Sequence, residues 1–487
     1  MSAPHEILAR LASLGITPTG VADDSRQVRP GDIFLAYPGD LADGRRYIPD
    51  ALARGAVAVV WQAGGEFAWN PALTATNLQV DGLRALAGPL AHAVYGEPSA
   101  ALSLIAITGT NGKTTVSQFI AHALEGRCAV IGTLGAGFPG ALEETGFTTP
   151  EATTLMRKLA EFRRFGATAC ALEASSIGIE EGRMNGARVD VAVFTNFTRD
   201  HLDYHGSMEA YAAAKQKLFV WPGLRTAIIN LDDAFGRQLQ AATTARSVLG
   251  YSIGGHGEVR AEKLRETPIG QCFTLVLPNA SIEVETGLLG RYNVSNLLAV
   301  AAVLHDAGLK AAEIGVRLSA LSAPAGRMER LGGVGEPLLV VDYAHTPDAL
   351  ENVLVTLREV AAVRGGKLCV LFGCGGDRDK GKRPQMGAVA GRLADRVLLT
   401  SDNPRSENPA QIIADIQAGI GQAEVEVDRA QAIRRAVAVA TDSDVVLLAG
   451  KGHEAYQESL GVKTPFSDVE QARSALLQRR AARREVA

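Results

Sequence analysis

A chain of 487 residues is long enough for roughly three domains of ordinary size. Hydrophobic residues make up 47%, charged residues 21% and aromatics only 5%, the balance of an enzyme packed with Ala, Val and Leu in an α/β fold. A formal net charge of −4 with both signs interspersed leaves no basic face for nucleic acid, and no apolar run approaches the ~20 residues that span a bilayer.

Residues 1–97 mix short strands and helices, with turn signals at Arg29-Pro30-Gly31-Asp32 and Pro38-Gly39-Asp40 and a buried strand over Val57–Trp61. The opening Met1-Ser2-Ala3-Pro4-His5-Glu6 lacks the basic start and apolar core of a signal peptide, so a cytoplasmic location is expected. Gly96-Glu97-Pro98-Ser99 reads as a loop between domains.

A strand-like run, Ala101–Ile107, then opens into Thr108-Gly109-Thr110-Asn111-Gly112-Lys113-Thr114-Thr115. Glycines let backbone N–H groups approach phosphate oxygens, and the start of a helix adds its positive end. Lys113 suits the terminal phosphates of ATP and the Thr114 hydroxyl suits Mg²⁺. Only Thr110 and Asn111 separate Gly109 from Gly112, a loop shorter than that of ordinary GTPases and motors.

Beyond the loop, strands over 129–131, 168–172, 191–194 and 226–229 alternate with helices and predict a parallel sheet covered on both faces. Ligands of such sheets gather at the carboxyl ends of the strands. Glu173 falls at one such end, and Asp200-His201-Leu202-Asp203 follows another. A carboxylate and an imidazole beside a triphosphate are candidate Mg²⁺ ligands, while the same four residues could simply cap a helix. Lys215 lies on the helical run 208–217, where a lysine is by default solvated.

The Pro/Gly-punctuated segment 322–327 marks the next boundary, and strands over 338–341, 368–372, 396–400 and 445–449 predict a second, smaller α/β domain. Cys128, Cys170, Cys272, Cys369 and Cys374 are scattered without a Cys-x-x-Cys pair and read as reduced core or loop thiols. Arg479-Arg480-Ala481-Ala482-Arg483-Arg484 reads as a solvated helix end rather than a binding arm.

Five motifs resemble, in order and spacing, the Mur ligase superfamily of ATP-dependent amide-forming enzymes. They are Gly109–Thr115, Asp200–Asp203, Gly290–Asn296, Asp342–Pro347 and Phe372–Pro384, which together span most of the chain. The resemblance implies three domains: a small N-terminal α/β domain for a UDP-sugar (1–97), a central P-loop parallel-sheet ATPase domain (98–324) and a C-terminal Rossmann-like α/β domain for an amino acid (325–487). Asp24-Ser25-Arg26 and Asp43–Ile48 resemble the nucleotide-sugar domain of the branch that builds the peptidoglycan stem, which folate-type glutamate ligases lack.

Residue by residue, the resemblance implies that Gly109, Thr110, Asn111, Gly112, Lys113, Thr114 and Thr115 bind ATP, with Asn293, Arg327 and Asp342 contacting the nucleotide. His345 belongs to the same hinge-side loop as Asp342. Thr114, Glu173, His201 and Lys215 would serve the Mg²⁺ site, Lys215 as a carbamate, which replaces a cation by a carboxylate-like anion. Lys113, Glu173, His201 and Lys215 are thereby the expected catalytic set. Ser25, Thr148, Thr149, Ser175, Glu181 and Arg183 match UDP-substrate contacts. Phe147 and Glu181 depart from the family pattern, which carries asparagine and glutamine there.

Ser401-Asp402-Asn403-Pro404-Arg405 could be no more than a proline turn after a strand. Within the family, Asp402, Asn403, Pro404 and Arg405 resemble the version that takes meso-2,6-diaminopimelate rather than L-lysine. An arginine fork binds the extra carboxylate bidentately, and lysine would leave it unpaired, a discrimination of as much as ~10⁴-fold. Arg378, Gly450 and Glu454 match the remaining diaminopimelate contacts. The implied activity is ATP-dependent addition of meso-diaminopimelate to UDP-N-acetylmuramoyl-L-alanyl-D-glutamate through an acyl phosphate, by a monomer. The competing readings are a lysine- or glutamate-adding ligase and a P-loop NTPase acting as a switch.

Overall fold

The computed structural model describes residues 3–486 apart from 40, 41, 66, 268, 269, 333 and 334. Met1 and Ser2 of the N-terminal reading, and Asp40 of the second turn signal, lie outside the described residues. Three sheets follow one another along the chain. The first has four parallel strands in chain order, β1 (Gly20–Ala22), β2 (Asp32–Ala36), β3 (Ala58–Trp61) and β4 (Asn77–Gln79).

The second contains β5 (Ser103–Thr108), β6 (Cys128–Gly132), β7 (Gly135–Phe138), β8 (Ala141–Glu143), β9 (Ala169–Glu173), β10 (Val191–Phe194) and β11 (Thr226–Asn230). It continues through β12 (Ser247–Ser252), β13 (Val259–Thr267), β14 (Gly270–Leu277) and β15 (Ala280–Thr286). The spatial order is β15-β14-β13-β12-β11-β10-β5-β9-β6-β7-β8. From β13 to β6 the neighbours run parallel, as the strand–helix alternation predicts. Both margins are antiparallel meanders, β6-β7-β8 and β13-β14-β15, which the apolar runs did not reveal. Strand β13 is half exposed and carries Glu262, Lys263, Arg265 and Glu266, so no buried run announces it.

The expected strand start at Ala101 is two residues early. Pro98–Ala101 is a short helix led by proline, which suits a first helical turn, and the expected loop 96–99 therefore ends inside it.

The third sheet contains β16 (Glu329–Leu331), β17 (Leu338–Asp342), β18 (Leu368–Phe372), β19 (Arg396–Leu399), β20 (Glu424–Val425) and β21 (Val445–Ala449). Its order is β16-β17-β21-β18-β19-β20, with only β16 antiparallel. A hairpin, β22 (Tyr456–Ser459) and β23 (Val462–Pro465), follows it.

One apolar core runs without a break from Ile33, Val60 and Leu90 of the first stretch to Leu104, Leu155 and Leu172 of the second. The third sheet has cores of its own on its two faces, to which the second stretch contributes Leu289. All five cysteines are buried and free, as expected. The C-terminal arginines are not simply solvated. On the helix Asp468–Val486, Arg479 and Arg483 pair with Asp442 and Arg480 with Glu336, tying the helix back to the domain. Among the described residues no helix is long and apolar enough to cross a membrane.

Candidate functional site

Parallel pairing brings the carboxyl ends of the central strands to one edge. Ile107 of β5 is opposite Glu173 of β9, and Thr108 is opposite Phe194 of β10. The chain leaves β5 through the Gly109–Gly112 loop, which is pinned to the turn after β10. Thr110 N–H donates to Asn196 O at 2.8 Å, and Asn111 N–H to Asn196 Oδ1 at 2.9 Å. Gly112 has φ +87°, and a Cβ there would stand 2.8 Å from Asn296 Oδ1, so glycine is needed where the chain enters the helix Lys113–Ala123. A cavity of about 800 Å³ opens over this helix start and is lined by Thr110 through Thr115. Unpaired helix N–H groups and the helix dipole make that position an anion site.

Gly109 lies behind the loop. Its carbonyl accepts from Lys113 Nζ and from Lys215 Nζ, both at 2.9 Å. Lys215 is therefore not the solvated residue its helix position suggests: it is 1% exposed, with Nζ 4.4 Å from the Tyr211 ring centroid. Burial, and then the charge of Lys113, pushes its pKa well below that of an ordinary lysine. Burial also lowers Lys113, against the attraction of Glu173 and Asp200.

Glu173, fully buried, faces the same edge. Its Oε2 accepts from Thr114 Oγ1 at 3.0 Å and from Thr133 Oγ1 at 3.1 Å, and Oε1 accepts from Thr133 N–H at 3.0 Å. A Cβ on Gly132 would stand 2.0 Å from Glu173 Oε1, so a side chain there would push this carboxylate off its partners. His201 occupies the N-cap of the short helix Leu202–His205 at φ +54° without a side-chain capping bond, which leaves its imidazole available. It lies 3.5 Å from Asp200, and burial lowers its pKa despite that carboxylate. Among the described residues no three His, Cys, Asp or Glu side chains gather as a metal cage. A threonine hydroxyl touching one carboxylate instead fits a hard ion that completes its shell with phosphate and water.

The residues expected to contact the UDP substrate, Ser25 apart, are linked to one another and to Thr133. Thr133 Oγ1 lies 3.1 Å from Thr148 Oγ1; Thr149 Oγ1 donates to Glu173 O at 2.7 Å and accepts from Ser175 N–H at 3.0 Å. Arg183 Nη1 donates to Thr149 O at 3.0 Å. The two departures from the family pattern converge on this arginine. Glu181 Oε2 accepts from its Nε at 2.8 Å, and its guanidinium lies 4.2 Å from the Phe147 ring centroid. Ser25 does not line the cavity. Its loop is tied to the helix after Thr149 through Asp23, which accepts from Thr153 Oγ1 at 2.8 Å.

Asn293, Arg327 and Asp342 all line the cavity. Arg327 donates to Thr114 Oγ1 at 3.2 Å and stacks 4.4 Å from the Tyr343 ring centroid. Asp342 accepts from the N–H groups of Met328 and Ala344, and burial raises its pKa.

Asp402–Arg405, Gly450 and Glu454 form a separate cluster at the ends of β19 and β21. Asn403 Nδ2 donates to Glu454 Oε2 at 2.7 Å, and Arg405, at φ +50°, donates to Gly376 O at 2.8 Å. Arg378 is exposed beside Asp377. Sequence reasoning missed Thr133, Asn196 and Asp348, the last accepting from Asn111 Nδ2 at 3.1 Å. Thr133 was within reach, since it follows a strand end between two glycines; the partners of Asp348 are set only by the fold.

Three stretches match Mur ligase families: residues 17–95 the "Mur ligase family, catalytic domain", 107–304 the "Mur ligase middle domain" and 326–452 the "Mur ligase, glutamate ligase domain". The chain is 51% identical over 474 residues to the UDP-N-acetylmuramoyl-L-alanyl-D-glutamate–2,6-diaminopimelate ligase of Chromobacterium violaceum, covering 96% of each chain. It is 52% identical over 460 residues to the ligase of that name from Pseudomonas aeruginosa, covering 93% of this chain and 94% of that one. A solved structure of a 2,6-diaminopimelate ligase superposes with a TM-score of 0.67 at 39% identity, covering 95% of each chain. The MurF ligase of Thermotoga maritima in complex with ADP shares the fold at 18% identity, with a TM-score of 0.68, over 96% of this chain and 99% of that one.

Proposed function

The chain belongs to the Mur ligase family, and from that premise we propose that it joins meso-2,6-diaminopimelate to UDP-N-acetylmuramoyl-L-alanyl-D-glutamate with cleavage of ATP to ADP and phosphate. What carries this reading is the end-to-end likeness to diaminopimelate ligases, 51% identity with 96% of both chains covered. A separate NTPase switch would have no use for the first sheet or for the Asp402–Arg405 turn. We take residues 1–97, 98–324 and 325–487 as the working units for UDP-sugar, ATP and amino acid, in a cytoplasmic monomer.

The phosphates are assigned to the Gly109–Thr115 loop, with Lys113 at its mouth and Asn293 and Arg327 on the nucleotide. Thr114 and Glu173 would hold Mg²⁺, with His201 beside it, and the ion would neutralise charge developing on the transferring phosphoryl group. Lys215 suits carbamylation because its burial favours the neutral amine, the form that adds CO₂. The carbamate would change a buried cation into an anion facing that site.

The Thr148–Thr149, Ser175 and Arg183 chain would orient the D-glutamyl γ-carboxylate toward the terminal phosphate. That carboxylate oxygen attacks phosphorus, the bond to ADP breaks, and an acyl phosphate results. The neutral amine of diaminopimelate then attacks the acyl carbon, loses its proton, and expels phosphate as the amide forms. Phe147 and Glu181, by clamping Arg183, would pre-set its direction in this chain.

Phosphate release with each amino acid, with and without the UDP-sugar dipeptide, tests the reading. Turnover should require the UDP substrate and meso-diaminopimelate, with L-lysine poorer by orders of magnitude. Arg405→Ala should raise the KM for diaminopimelate and leave the KM for the UDP substrate nearly unchanged. Equal turnover with lysine, or amino-acid-independent hydrolysis, would sink the assignment.

A further inference from the structure

Beneath the Asp402–Arg405 turn lies a lysine with no place in the roles above. Lys451 follows β21, its side chain wholly buried, and its Nζ donates to Asn403 Oδ1 and to Glu454 Oε2, both at 3.1 Å. Asn403 Oδ1 also accepts from Glu458 N–H at 3.0 Å. Two donors on one oxygen decide which way the amide points: Nδ2 must face Glu454 Oε2, 2.7 Å away. Glu454 thus has Oε2 tied by two donors, while its side chain stays 19% exposed.

Strand β22 straps the same turn. Gln457 Nε2 donates to Asp402 O at 3.0 Å, Arg405 N–H donates to Glu458 O at 3.1 Å, and Leu460 N–H donates to Arg405 O at 2.7 Å. Arg405, in the left-handed region, is held there by these bonds on both sides. Asn403 and Glu454 therefore meet at one buried Nζ, and β22 joins them through Glu458 N–H on Asn403 Oδ1.

We propose that Lys451 is the positioning residue of the amino-acid site: it fixes the Asn403 amide and one oxygen of Glu454, so that the other oxygen is presented to an ammonium group of the incoming amino acid. This rests on the reading that Asn403, Arg405 and Glu454 receive diaminopimelate. Lys451 itself touches no substrate. A bond between charged groups lost from such a site corresponds to a roughly 10- to 100-fold effect.

Lys451→Met, Lys451→Gln, Glu454→Gln and the double variant Lys451→Met/Glu454→Gln, made in the full chain, test this through separate KM values for meso-diaminopimelate, ATP and the UDP substrate. Lys451→Met should raise only the diaminopimelate KM, by roughly 10-fold or more, with kcat at saturation within a few-fold. Lys451→Gln, which keeps a donor, should fall between it and the wild type. The double variant should be little worse than Glu454→Gln alone, because Lys451 acts through Glu454 and through the Asn403 amide bonded to it, a unit that Glu454→Gln already disrupts. Additive losses, an unchanged diaminopimelate KM, or parallel rises in the ATP and UDP-substrate KM overturn the proposal. So does failure of both Lys451 variants to fold, which assigns the lysine to structure. A wild-type enzyme that releases no phosphate with diaminopimelate overturns the functional reading itself, and this inference with it.

Discussion

Lys215 and His453 show how burial recasts single side chains. Both carry groups that prefer water; the fold withholds it wholly from Lys215 and, at Nδ1, from the half-buried His453. For Lys215 the expected outcome of Lys215→Ala is a loss of turnover on the order of 10²-fold with a raised Mg²⁺ requirement, since the proposed function makes this residue a support of the Mg²⁺ site. Bicarbonate with a small carboxylic acid should restore part of the rate if the carbamate is the working form; full activity in the variant excludes a metal-facing role. His453 has a buried Nδ1 without a hydrogen-bond partner among the described residues, and burial, then the charges of Arg327 and Lys451, pushes its pKa to about 4. The unfolded imidazole titrates near 6.5. Between those values the unfolded chain binds the extra proton, so this contribution is complete above pH ~6.5 and is lost as pH falls toward ~4. Thermal midpoints measured across that window should decline on acidification, and less steeply in His453→Gln.

At the scale of elements, the Arg429–Asp468 pair joins three pieces of the C-terminal domain. Both side chains are wholly buried; Arg429 donates to Asp468 Oδ1 at 2.7 Å, to Oδ2 at 2.6 Å and to Ala449 O at 3.0 Å. The start of the last helix is thereby bonded to the end of β21, next to the cluster of Asp402–Arg405 and Glu454. Arg429→Met should cost about 3–5 kcal/mol, because it strands a buried carboxylate, and Arg429→Met/Asp468→Leu should recover much of that loss. Chemical denaturation of the three proteins checks this; a double variant no better than the single one would count against the pair as the cause. The strands were legible here because parallel strands buried on both faces read as unbroken apolar runs: β18 and β21 fall on the expected residues. The margins β13–β15 and the hairpin β22–β23 were not legible. Their stability comes from cross-strand pairing, which leaves a weak local pattern.

For the molecule as a whole, the two joints between stretches differ in kind. The first stretch shares an apolar core with the second, so the two should move as one body. Among the described residues the third meets the second through only Leu289 and Tyr292 on the apolar side and through polar contacts, Asn111 to Asp348 at 3.1 Å, Arg327 to Thr114 at 3.2 Å and Arg199 to Asp379 at 3.4 Å. Arg199–Asp379 is exposed and the other two contacts are half-buried; polar contacts of this sort are individually worth about 1 kcal/mol, so ligand binding is expected to move the third domain against the second. Small-angle scattering should show a smaller radius of gyration with a non-hydrolysable ATP analogue and the UDP substrate than without ligands. The Asp348→Ala variant should show a weaker contraction. An unchanged radius in the wild type speaks against closure.

Sequence alone determined the phosphate loop, the alternation that predicts parallel sheets, the strand ends where Glu173 and His201 fall, and the Asp402–Arg405 turn. Each is local: a glycine where φ must be positive, an apolar run where both faces are covered, a charged residue where a strand stops. Tertiary structure decided the rest. It made Lys215 a buried amine sharing Gly109 O with Lys113, gave Glu173 its partner Thr133, turned Phe147 and Glu181 onto one arginine, and placed Lys451 under the Asp402–Arg405 turn. The reason is physical: the state and direction of a polar side chain depend on which distant residues exclude water from it and which accept its hydrogen bonds, and neither is written in the residues beside it.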